Sequence, residues 1–84
     1  MKQYRIYTEN KNKAEIIKLF RAYDITIYET LGTYKSKQEY SLVIEIIGVN
    51  EDYPNISAIC KRLKEINQQD VVLLTIIDIE FHFI

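Results

Sequence analysis

A chain of 84 residues is long enough for one hydrophobic core and too short for two, so a single domain over residues 1–84 is expected. With 48% hydrophobic residues, 27% charged residues, two glycines and one proline, it should be ordered throughout, which excludes a disordered or linker-like chain. A net charge of -1 speaks against nucleic acid as a partner, because a duplex binder presents a clear excess of Lys and Arg.

In chain order, Gln3 to Thr8 is β-branched or aromatic at nearly every second position and reads as a strand, stopped by the polar run ENKNK. Asn12 and Glu15 resemble a capping box, and Ile16, Ile17, Phe20 and Tyr23 recur at helical spacing, which predicts a helix over about Lys13 to Tyr23. Ile25 to Thr30 is a second strand. LGTYKSKQE follows with turn chemistry, and Tyr40 to Ile47 is the most strand-like run of the chain, so a long hairpin with a polar tip is expected.

Gly48 to Asp52 ends that hairpin, and Pro54 fits the first turn of a helix. Ile56, Ile59, Cys60, Leu63 and Ile66 then form one apolar stripe, with Lys61, Arg62, Lys64 and Glu65 facing away. Val71 to Ile77 is apolar on both faces, the pattern of a central, doubly covered strand. Asp78 to Ile84 alternates strictly and predicts an extra edge strand. The order is βαββαβ, an α+β ferredoxin-like sandwich with an extra C-terminal edge strand.

No apolar run approaches the roughly 20 residues of a membrane helix. The single cysteine cannot form an intramolecular disulfide, and MKQYRIYTEN lacks the apolar run of a signal peptide, so a cytoplasmic location is expected. Two helices cover one face of a four-stranded sheet. Val43, Ile47, Val72, Leu74 and Ile76 nevertheless stand in the register opposite Leu42, Ile44, Ile46, Val71 and Leu73. An uncovered apolar face and an unpaired edge predict self-association into a closed ring.

No residue set completes a catalytic or metal site. His82 has no second ligand nearby in sequence, Cys60 lies on the apolar stripe, and Glu9, Glu29, Glu39, Glu45 and Asp78 show no acid–base spacing. The chain is therefore expected not to be an enzyme and to need no cofactor or metal. TLGTYKSKQEYS concentrates donors and flat rings instead. Lys35 and Lys37 can meet phosphate charge, Tyr28, Tyr34 or Tyr40 can stack on a base, and Gly32 and Ser41 offer close backbone approach and a hydroxyl. Asn67 and Gln68, with Gln69, add amides suited to a base or ribose edge.

The segment GTYKSKQEYSLVIEI, residues 32–46, resembles the CutA-type pattern of an aromatic, a lysine-bearing turn, an acidic residue and an aliphatic strand. In order of elements almost the whole chain is similar to the PII and CutA group. That resemblance implies a homo-oligomer, a trimer, with clefts between subunits where PII relatives bind nucleotides. The glycine-rich and basic nucleotide motifs of PII proteins are absent, and the tryptophan common in CutA hairpins is either replaced by Tyr34 or missing. The small size and the Ile, Lys, Asn and Tyr content also resemble accessory proteins of phages. The expectation is a non-catalytic oligomer that holds a small anionic, nucleotide-derived ligand at inter-subunit clefts, as a phage sponge sequestering a host immune signal would. The alternative is a protein-interaction module such as a phage-encoded inhibitor of a host protein.

Overall fold

Extended backbone forms in four segments where β-branched and aromatic side chains are concentrated. The computed structural model describes residues 1–84, with the side chain of Tyr34 outside the described residues. Strands β1 (Lys2–Glu9), β2 (Ile25–Tyr34), β3 (Lys37–Gly48) and β4 (Leu73–Asp78) alternate with helices α1 (Lys13–Leu19) and α2 (Tyr53–Asn67). The four strands form one antiparallel sheet in the order β2-β3-β1-β4. Both helices lie on one face, and the core between the layers is Tyr4, Ile6, Ile16, Phe20, Leu42, Ile44, Ile46, Ile56, Cys60 and Leu63. No helix among the described residues is long and apolar enough to cross a membrane.

The α+β ferredoxin-like sandwich stands as expected, with local corrections. Helix α1 stops at Leu19 rather than Tyr23. Phe20, Arg21 and Tyr23 donate backbone bonds to residues three earlier, tightening the chain so that Phe20 drops into the core. Asn12 does not cap: it adopts the left-handed conformation (φ 56) and its amide reaches across to the Ile66 carbonyl and to Asn67. The long hairpin is present, but most of LGTYKSKQE is strand rather than turn. Only Lys35 and Ser36 turn, both at positive φ (49 and 64), the signature of a tight two-residue hairpin, while Gly32 is ordinary strand paired with Glu39.

Strand β4 is an edge, not the central strand its apolar pattern predicted. Val72, Leu74 and Ile76 share the helix-covered face with Leu42, Ile44 and Ile46, whereas Leu73 and Ile77 join Val43 and Ile47 on the uncovered one. Its double apolarity thus reflects surface left open: Leu73 is 53% exposed and Ile77 50%. Residues 79–84 do not enter the sheet as the expected extra strand; only Ile79 donates a backbone bond, to Met1. The uncovered face is also less apolar than expected, because Arg5 pairs with Glu45 at 2.8 Å and the Tyr28 hydroxyl donates to the same carboxylate at 3.5 Å.

Candidate functional site

At one end of the sheet, β1 runs out beside β3 and beneath the connection from α2 to β4. Glu9 pairs with Ser41, and Asn10 extends the contact through its N–H to the Tyr40 carbonyl at 3.1 Å. Asn67, only 1% exposed, ties this corner together. Its amide donates to the Gln69 Oε1 at 2.9 Å, the Thr8 hydroxyl at 3.2 Å and the Glu9 carbonyl at 3.3 Å, and its Oδ1 accepts from Asn12. Gln69 accepts in turn from Thr8 and from the Glu9 N–H, and donates to the Val71 carbonyl. A left-handed Gln68 turns the chain out of α2 so that Gln69, Asp70 and Val71 face β1.

The result is a pocket of about 350 Å³. Tyr7, Glu9, Glu39 and Ser41 supply its floor from the uncovered sheet face; Gln69, Asp70 and Val71 supply its wall. Three carboxylates line it. Glu9 is partly neutralised by Lys11 at 2.8 Å, while Glu39 and Asp70 have no ion-pair partner among the described residues. The carboxylates do not converge: among the described residues no group of three acidic, His or Cys side chains could hold a metal. Carboxylates, hydroxyls and the Gln69 amide give the pocket a polar, acidic lining.

Of the residues expected from sequence, Ser41 and Gln69 line this pocket, and Gln69 does so with its amide already bonded inside the protein. Lys37 and Gly32 lie toward the hairpin tip, Lys35 forms the turn itself, and the Tyr34 side chain lies outside the described residues. Tyr40, 67% exposed, sits beside Leu31 on the opposite face from Ser41. Tyr28 stands further along the uncovered face, against Glu45. Asn67 cannot read a base edge, because its amide is spent inside the protein, and Gln68 faces a separate shallow surface with Lys61 and Lys64. Sequence reasoning missed Tyr7, Thr8, Glu9, Glu39 and Asp70 as neighbours. The available signal was Glu9 at the end of one strand and Glu39–Ser41 early in its partner, which become adjacent only once the register is known.

Elsewhere, burial pushes the Cys60 thiol up to about 11, so it packs rather than reacts. His82 is exposed and lies 3.5 Å from Glu80.

No family model and no curated protein matches the chain. Solved structures do. A phage SAM lyase in its apo state has a TM-score of 0.70 and 21% identity, over 89% of this chain and 78% of that one. A DUF3240 family protein from Shewanella baltica has a TM-score of 0.71 and 12% identity, over 99% of this chain and 94% of its own. CutA from Pyrococcus horikoshii gives a TM-score of 0.59 at 14% identity, over 99% of this chain and 88% of that one. The PII-like protein CutA from a Nostoc species gives 0.56 at 10% identity, over 95% and 82%. The phage SAM lyase is an enzyme, and this finding overturns the expectation that the chain is not one: a chain of this shape can be catalytic. The shared element order, the four-stranded antiparallel sheet and its two helices give the chain the fold of the CutA and PII-like proteins.

Proposed function

We propose that the chain is a homo-oligomeric enzyme that binds S-adenosylmethionine in the acidic pocket between β1, β3 and the α2–β4 connection and cleaves it as a lyase. The observation that carries this reading is the pocket's charge. Glu9, Glu39 and Asp70 favour a cationic sulfonium over the anionic ligand expected from the hairpin lysines, and a phage SAM lyase is among the proteins of the same fold.

The missing nucleophile and metal are no obstacle to this chemistry. A sulfonium carries its own leaving group: as the carbon–sulfur bond breaks, its electron pair passes to sulfur, which becomes a neutral thioether. The carbon fragment is completed by losing a proton or by bonding to another group of the same molecule, so no water enters. The protein's part is to hold the charged sulfur near carboxylates, order the chain of the substrate and exclude water. A second copy on the uncovered face supplies the exclusion, since the pocket opens onto that face. The same face exposes Ile47 (41%), Leu73 (53%) and Ile77 (50%) and leaves the buried Arg5 Nε without a partner among the described residues.

The test is incubation of the purified protein with S-adenosylmethionine, followed by mass spectrometry of the products. Two fragments whose masses add to that of the substrate, with no gain of water, are expected. Glu39→Gln with Asp70→Asn should weaken binding by about 1–3 kcal/mol per lost charge-assisted contact. An unchanged substrate together with silent calorimetry would overturn the reading. A protein-interaction module is the second reading, favoured by Leu31 (54%) and Tyr40 (67%) exposed side by side on the projecting hairpin.

A further inference from the structure

A second concavity, of about 290 Å³, lies between α2 and the start of β4. Cys60, Val72 and Leu74 form its apolar floor, and Lys61 and Lys64 stand on its rim. Strand β4 pairs only with β1, so the backbone groups of its other edge are open beside this groove. The segment after β4 has the matching chemistry. Phe83 is 97% exposed and Ile84 fully so, and Phe81 and Phe83 stack with ring centroids 6.1 Å apart, making one apolar face. Glu80 and His82 alternate with them on the other side.

We propose that residues 79–84 of one copy seat in the α2–β4 groove of a second copy, with Phe81 and Phe83 on the Cys60–Val72–Leu74 floor and Glu80 between the ammonium groups of Lys61 and Lys64. Charge and apolarity are complementary at the contact: Glu80 meets Lys61 and Lys64, which outnumber Asp70 on the groove lining, and the Phe81–Phe83 face meets the apolar floor. The segment does not serve its own groove. It leaves β4 at Asp78, beside Lys2, whereas the groove lies at the other end of that strand. Segment and groove are therefore different surfaces at opposite ends of one edge strand, so the contact is head-to-tail. Because Asp70 and Val71 line both this groove and the acidic pocket, the seated segment stands against the wall of the ligand site of the neighbouring copy.

The inference does not depend on which ligand the pocket takes, and its test is independent of cleavage. In a Cys60→Ser background, one batch carries Lys64→Cys and a second carries Phe83→Cys; the two are mixed under mild oxidation. A cross-linked species of twice the 10.0 kDa chain mass is expected from the mixture. A control pairing of Phe83→Cys with Lys18→Cys on α1 should give about tenfold less product. Separately, Lys61→Glu with Lys64→Glu should raise the dissociation constant for self-association about tenfold, and adding Glu80→Lys should restore it. Circular dichroism like that of the wild type shows that these exposed substitutions leave the fold intact. Equal cross-linking at Lys18, or self-association unmoved by the charge reversal, overturns the proposal.

Discussion

Replacing Asn67 by Asp changes one amide to a carboxyl of nearly the same shape at the most connected polar position in the chain. Asn67 is 1% exposed, and its amide donates to Thr8, Glu9 and Gln69. An aspartate there turns acceptor against the Glu9 carbonyl and the Gln69 Oε1, so the carboxyl is driven to stay protonated in the folded state. Holding it protonated at pH 7 against an unfolded value of about 3.9 means roughly three pH units at about 1.36 kcal/mol each, or about 4 kcal/mol. The donor bonds that a single carboxyl proton cannot replace add about 1–2 kcal/mol. The expected loss at pH 7 is thus about 5–6 kcal/mol, a large part of the roughly 5–15 kcal/mol typical of a domain. The folded pKa of the new group is raised, so the penalty is small below the unfolded value and grows as pH rises through neutrality. Urea unfolding of wild type and variant at pH 4 and pH 7 measures it. The difference between them should shrink by about 4 kcal/mol at the lower pH. A loss below about 1 kcal/mol, or one that does not change with pH, would refute the assigned hydrogen-bond roles.

Leu63→Asp places a carboxylate at a position with no exposure in the helix–sheet core. It should cost several kcal/mol and leave the chain largely unfolded by circular dichroism, and a wild-type melting curve would show that the α2 stripe does not pack as described. Burial raises the Cys60 thiol from 9.0 to about 11, so the thiolate forms in the unfolded chain at a lower pH than in the folded one. Alkylation at pH 8 should follow global unfolding and accelerate with urea, whereas fast labelling of the folded protein would place the thiol at the surface.

Much of the fold was legible because it is written in local periods. The stripe Ile56, Cys60, Leu63 and the alternation of Tyr4, Ile6 and Thr8 report helix and strand within a few residues, and both were read correctly. The resemblance of residues 32–46 to CutA hairpins pointed to the fold that solved structures share with this chain. Absence of an activated nucleophile led to the expectation that the chain is not an enzyme, which a SAM lyase of the same fold overturns, because that inference presumes chemistry in which the protein supplies the attacking group.

The sequence by itself determined the order and type of the four strands and two helices and which side chains share a face of each, though not every boundary, because those depend on contacts one to four residues apart. Only the tertiary structure decided that β4 is an edge, that Asn67 is spent as an internal tie, and that Glu9, Glu39, Ser41 and Asp70 line one pocket. Strand order and register are set by pairing between residues tens of positions apart, as Glu9 with Ser41. Leu73 and Ile77 carry the same apolar side chains whether a strand is covered on both sides or waiting for a second copy, so no local pattern distinguishes the two.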